Sequence, residues 1–154
     1  MFPESLFPII SSLIACALAQ FAKTIFYYFK SGKWDLKWVI ASGGFPSSHS
    51  STVTALALSI GLQDGFETTT FAIASILAFI VMYDACHVLY YSGKNIELTQ
   101  QLIKDIEKMT DIELVEPIYQ EKLKNVLGHK LREVLGGIVI GIVIPLLMAP
   151  LFVG

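Results

Sequence analysis

Between about Leu6 and Phe29 the chain carries one charged residue, Lys23, and between about Val134 and Val153 it carries none. A third apolar stretch, from about Thr70 to Tyr91, carries one formal charge, Asp84. Runs of roughly 20 apolar residues are what an α-helix needs to cross the hydrocarbon of a bilayer. A fourth segment, from about Ser50 to Leu62, is shorter and starts in a polar turn. Such a segment is tolerated where its backbone faces protein or a water-filled cavity. With 16% charged residues, against about 25% in an ordinary soluble domain, the chain has too few charges to cover a water-exposed surface. The expected fold is all-α: an integral membrane helical bundle of about four membrane segments plus a cytoplasmic amphipathic helix, in one domain over residues 1–154.

The charges that exist are crowded together. All eleven Lys and Arg lie at Lys23 with Lys30, in the loop from Lys33 to Lys37, and between Lys94 and Arg132. If all four segments cross, these places share one face, and the other face carries only Glu4, Asp64 and Glu67. Basic loops stay on the cytoplasmic side. The expected setting is therefore the plasma membrane of a bacterium, with both termini outside. Membrane lipids are the expected partners, nothing calls for nucleic acid, and homo-oligomerisation is left open. Trp34 and Trp38 suit a loop anchored in the headgroups. Asn95 to Met109 reads as an amphipathic helix, with Ile96, Leu98, Leu102, Ile103 and Ile106 on its apolar side. An acidic connector broken by Pro117 and a short helix from about Gln120 to Gly128 follow. Cys16 and Cys86 fall in hydrophobic helices and read as small core residues. Leu13 to Cys16 has the look of a lipoprotein cleavage box, but no positive charge precedes it.

The turn Gly43-Gly44-Phe45-Pro46-Ser47-Ser48-His49-Ser50-Ser51 leads straight into the second apolar segment. Two glycines and a proline break any helix, and the hydroxyl-rich run after them suits a helix start. A helix start presents unpaired backbone N–H groups and the positive end of the dipole, a setting that holds phosphate. The plain alternative is a polar loop that caps a helix. A second histidine, His129, stands four residues before Glu133 at the mouth of the last apolar segment. That spacing brings both side chains to one helix face, where a carboxylate can fix the imidazole tautomer and raise its basicity. Gly136, Gly137 and Gly141 let another helix approach closely, and Pro145 and Pro150 interrupt the outer half.

Lys23 and Asp84 sit at membrane depth, where an unpaired charge is costly and a functional role is the default. Asp84 needs a partner, with Lys23 or a histidine the candidates. His87, three residues on, suits an interfacial histidine. Lys23, His49, Asp84, His129 and Glu133 come from four segments and fall near one face. Two histidines, one in a phosphate-binding type of turn and one beside a carboxylate, point to phosphoryl transfer through a histidine nucleophile. No His/Cys spacing or paired carboxylate set calls for a metal, and no cofactor is expected.

These residues resemble a known family. Pro46-Ser47-Ser48-His49 resembles the Pro-Ser-Gly-His motif of the type 2 phosphatidic acid phosphatases, relatives of the vanadium haloperoxidases. His129-x-x-x-Glu133 resembles their His-x-x-x-Asp motif, and Lys23 resembles the lysine of their first motif. The chain from about residue 6 to 145 looks like the divergent branch of that superfamily. There a Gly-Gly-Met-Pro-Ser-Ser-His turn, a Tyr-Asp-Ala run and a Gly-His…Glu-Val element recur. Phe45 replaces the Met, while Tyr83-Asp84-Ala85 and Gly128-His129…Glu133-Val134 match.

The resemblance implies His129 as nucleophile, Glu133 as its orienting acid and His49 as general acid. It implies Ser47, Ser48 and Lys23 as phosphate-binding groups, with Gly44, Asp84 and Gly128 supporting. The substrate implied is a lipid phosphate from the cytoplasmic leaflet, of the phosphatidylglycerol phosphate or isoprenoid (di)phosphate type. One departure stands out: the branch's Gly-Val-Arg-Arg run is His87-Val88-Leu89-Tyr90 here, and the superfamily's third-motif arginine is Leu123. Lysine substitutes poorly for a bidentate arginine clamp; Lys94, Lys122, Lys124, Lys130 and Arg132 are the cations that could stand in. The departure also supports an alternative, a catalytically weak or inactive relative that binds anionic lipid or serves as a membrane regulatory or scaffold protein.

Overall fold

A computed structural model describes residues 3–34, 43–110 and 128–152. A short 3₁₀ turn, Glu4–Leu6, leads into α1 (Phe7–Ser31); then come α2 (Ser48–Asp64), α3 (Thr69–Cys86), α4 (Val88–Thr110) and α5 (Leu131–Phe152). No strand occurs among the described residues. The helix ends follow local chemistry. Pro8 occupies the first turn of α1, where a missing N–H costs nothing. Gly32 ends that helix in the left-handed region at φ 68°, donating its N–H to the Tyr28 carbonyl. Thr68 caps α3 by accepting the Phe71 N–H at 3.3 Å.

α2 is the central helix and packs against α1, α3 and α5, while α1 also meets α5. Its 17 residues span about 25 Å. Side chains at its contacts are small or hydroxylic. Ala15, Ala19, Ala55, Ser50, Ser51 and Ser59 are fully buried. The Ser51 hydroxyl donates across to the Ala15 carbonyl at 3.2 Å, tying α2 to α1. At the far end Phe7 of α1 stacks on Phe152 of α5, ring centroids 5.4 Å apart. Large apolar side chains instead point outward: Leu13, Phe21, Ile73, Phe79, Val139 and Leu147 are all exposed. Small residues inside and large apolar residues outside is the pattern of helices packed in lipid, where burial of hydrocarbon between helices gains little and close approach gains most. This is an integral membrane protein built as a helical bundle.

Among the described residues three stretches have the length and apolarity to cross a membrane: Phe7–Phe29, Thr69–Thr110 and Leu131–Phe152. Of the four expected segments the second falls short of that measure: α2 has only 17 residues, and its first turn is made of hydroxyl side chains and His49. The third and the amphipathic segment, expected to be separate near Tyr91 and Asn95, meet at His87 instead, and α4 begins at Val88. α5 runs through Pro145 and Pro150 without ending; neighbouring helices satisfy backbone groups that such prolines release. The expected connector, the short helix before Gly128 and Trp38 lie outside the described residues.

Gly137 and Gly141 set how closely α5 approaches α2. A Cβ on Gly141 would stand 2.6 Å from Thr54 Cβ and 2.7 Å from the Ser51 carbonyl oxygen, and one on Gly137 would strike the Ser47 carbonyl oxygen. Overpacking of this kind costs about 1–3 kcal/mol or more. Gly141→Leu is therefore expected to lower the melting temperature of the detergent-purified protein by several degrees. Val139→Leu, on the exposed side of the same helix, should leave it unchanged.

Candidate active site

At one end of the bundle the second half of α1, the glycine turn with the start of α2, the end of α3 and the start of α5 come together. Backbone hydrogen bonds fasten them. The Ser47 N–H donates to the Glu133 carbonyl at 2.8 Å, and the His129 N–H donates to the Ala85 carbonyl at 2.9 Å. The turn before α2 needs its glycine: Gly44 has φ 94°, a conformation other residues rarely adopt. The Phe45–Pro46 peptide that follows is cis, and Pro46 is buried.

His129 is 1% exposed, and its Nδ1 donates to Glu133 Oε2 at 3.0 Å. The Lys130 N–H donates to the same oxygen at 3.3 Å, so the carboxylate is held from two sides. An ionised carboxylate only accepts, so in the neutral ring the proton sits on Nδ1 and the other nitrogen carries the lone pair. That nitrogen, Nε2, is buried and has no hydrogen-bond partner among the described residues. The ring of His49 lies against His129 edge to face, with centroids 5.7 Å apart, and His49 itself is exposed. One imidazole is thus fixed and buried while the other is open to the outside.

Lys23 is 2% exposed and reaches from α1 to donate to Ser48 Oγ at 3.3 Å, next in sequence to His49. Its ammonium faces the bundle interior. Ser47 does something the motif did not signal. Its hydroxyl caps α2, accepting from the Ser50 N–H at 3.3 Å and the Ser50 hydroxyl at 3.1 Å. Asp84 differs from expectation: it is exposed on α3 and has no hydrogen bond or ion pair among the described residues. The reason is register, since Ala85, one residue on, takes the inward position and supplies the carbonyl that holds His129. His87 is also exposed, its ring stacked on Tyr83 at 4.6 Å. Gly128 lies against the backbone of Leu89 and Tyr90, where the chain crosses the start of α4.

Two cavities flank the His129–Glu133 pair, one reaching Glu133 and the other His129. The larger, about 550 Å³, lies between α1, the turn and α5, and its wall includes Lys23, Phe26, Tyr27, Phe45, Arg132 and Glu133. The smaller, about 380 Å³, is on the side of α3 and α4 and includes His87, Tyr90, Tyr91, His129 and Lys130. Among the described residues no three His, Cys, Asp or Glu side chains gather as a metal-holding group.

The model of the Divergent PAP2 family matches residues 5–144. The chain belongs to the divergent PAP2 family. An uncharacterized membrane protein of Bacillus subtilis (strain 168), YuiD, is 36% identical over 151 residues, 95% of this chain and 96% of that protein. No solved structure gives a significant match.

Membership of the divergent PAP2 family sharpens the question of the absent arginines. Leu123, Lys122 and Lys124 lie outside the described residues. Lys94 pairs with Glu97 at 2.7 Å on an exposed face. Arg132 and Lys130 are the two that reach the cavities. Phe45, legible from sequence only as a replacement for methionine, packs edge to face on Phe26 at 4.7 Å and covers Gly136. Only the small residue at 136 hinted at that contact.

The Glu133 contact fixes the His129 tautomer, and this is measurable without any substrate. In ¹⁵N-histidine spectra of the wild type, His129 should show a protonated Nδ1 and an unprotonated Nε2. Glu133→Ala should abolish that preference and leave the His49 signals in place; an unchanged His129 tautomer would show that the carboxylate does not set it.

Proposed function

We propose that this divergent PAP2 protein is a membrane-embedded lipid phosphate phosphatase that hydrolyses a phosphomonoester through a phosphohistidine intermediate. The observation that carries the reading is the buried His129, with Nδ1 tied to Glu133, an unpartnered Nε2 and the His49 ring 5.7 Å away. Nε2 of His129 attacks phosphorus, the P–O bond to the lipid alcohol breaks, and His49 gives its proton to the departing oxygen. His49, now neutral, takes a proton from water as that water attacks the phosphohistidine, which releases inorganic phosphate and restores His129. Glu133 stabilises the imidazolium character that develops on His129.

Lys23, the Ser48 hydroxyl and the N–H groups at the start of α2 supply positive potential for the equatorial oxygens, a role that favours the transition state over the ground state. Ser47 acts by holding that helix start in shape. The substrate favoured is a lipid phosphate of the phosphatidylglycerol phosphate or isoprenoid (di)phosphate type. The clustering of Lys and Arg near the histidines supports an active site that faces the cytoplasm, with the termini on the other side. The absence of arginine from His87 to Tyr90 favours a second reading, a relative that binds anionic lipid without turning it over.

Purified protein in detergent, offered a panel of lipid phosphates without added metal, should release inorganic phosphate and be inhibited by vanadate. His129→Ala should reduce release by about a thousandfold or more, and His49→Ala by about 10²–10⁴-fold. Equal release by wild type and His129→Ala would overturn the reading; lipid binding with no release by wild type would select the second one.

A further inference from the structure

The smaller cavity, about 380 Å³, is the one with His129 in its wall. Backbone contacts decide which residues join it there. The His129 N–H donates to the Ala85 carbonyl at 2.9 Å, and a Cβ on Gly128 would strike the backbone of Tyr90. The joint between α3 and α4 is thereby laced to the residues that lead into α5. His87 and Tyr90 come to the cavity from that joint, and Lys130 follows His129 in the chain. Lys130 is exposed, and its ammonium has no ion pair or hydrogen bond among the described residues. Among the described residues no carboxylate belongs to this wall: Glu133 lines the larger cavity, and Asp84, three residues before His87, lines neither. The wall does hold an unfinished group, since the His129 ring carries a buried Nε2 with no partner among the described residues. A concave wall with a lysine, two imidazoles and a phenol, and with no acid, suits an anion that has several oxygens.

We propose that this cavity is a phosphate subsite, in which Lys130, His87 and the Tyr90 hydroxyl hold the oxygens of a phosphate dianion beside His129. The identity of that dianion as the group transferred rests on the phosphatase reading, whereas the subsite itself does not. Lys23 and Ser48 serve the side of α1 and α2; this set serves the side of α3 and α4. Lys130 is the charge on which the subsite depends, and it answers for the arginine that the chain lacks. A lysine is a point charge with rotatable donors and has no planar fork. Three single contacts thus replace one bidentate pair, and the two neutral partners each count for less than Lys130. The dianion has two sources, the headgroup of a lipid phosphate and the inorganic phosphate released from it.

The test separates binding from turnover. Full-length protein in detergent is titrated with inorganic phosphate, and binding is followed by broadening of the ³¹P line. Loss of one charged hydrogen-bonding partner corresponds to about tenfold or more in affinity. Lys130→Gln should weaken phosphate by about that factor, His87→Ala and Tyr90→Phe by a few-fold each, and Lys130→Arg by less than about twofold. Arg132→Gln removes the same charge two residues away, in the wall of the other cavity, and should leave phosphate within about twofold. The ¹⁵N tautomer signal of His129, unchanged in each variant, checks that the fold is kept. Equal weakening by Lys130→Gln and Arg132→Gln, or weakening by neither, would overturn the subsite. Displacement of the bound phosphate by phosphatidic acid names the lipid headgroup as an occupant; phosphate that the lipid leaves in place names the released product. If the wild type releases no phosphate from any lipid yet the selective loss of binding persists, the subsite stands and the phosphatase reading fails. If release persists and Lys130→Gln binds phosphate as the wild type does, the subsite fails and the phosphatase reading stands.

Discussion

The N–H of Ser47 donates to the carbonyl of Glu133 at 2.8 Å, and most of the site depends on that one link. Ser47 caps the central helix; Glu133 is the residue that holds His129. Joining them by backbone sets the glycine turn against the mouth of α5 and brings the two histidines within ring contact. The link is available because α5 comes so close to α2 at Gly137 and Gly141, where side chains would force the helices apart. Precision in this site therefore comes from backbone contacts between rigid elements, with few side chains spent on it.

The membrane setting explains why the arrangement is built this way. Within lipid, apolar side chains gain nothing from meeting each other, so a bundle is held by close approach and by hydroxyls that reach a neighbouring carbonyl, as Ser51 does to Ala15. The same scarcity of competing water makes polar groups in the interior costly unless satisfied. Lys23 and Glu133 both meet this condition through the site itself. Nε2 of His129 is one of five buried side-chain atoms without a partner among the described residues, and the one that lies in the histidine pair. A group that costs stability in the resting protein is well suited to a role in which a substrate completes it.

Much of this was legible in the sequence because it rests on periodicity and spacing. Apolar runs marked the three long stretches able to cross a membrane, and the short interval between His129 and Glu133 foretold their contact, although His129 precedes α5 and does not share a helix face with Glu133. The glycine turn announced itself by composition. What could not be read depends on rotation about helix axes and on contacts between segments distant in sequence. Asp84 has the depth of a buried acid, yet α3 is rotated so that Ala85 faces inward. Ser47 sits in a phosphate-binding type of motif, yet its hydroxyl is spent on the cap. Arg132 is, in the sequence, one of five cations that could stand in for the absent arginines, and only its position on the first turn of α5 sets it in the same cavity wall as Lys23.

The claim that everything else serves is that one phosphoryl group is transferred between His129 and water across the space it shares with His49. The most direct measurement is to mix the purified protein briefly with a ³²P-labelled lipid phosphate, quench at alkaline pH where phosphohistidine survives, and map the label by peptide mass spectrometry. Label on Nε2 of His129 is the expected result. Label on another side chain, or steady phosphate release with no labelled protein at any time after mixing, would contradict it.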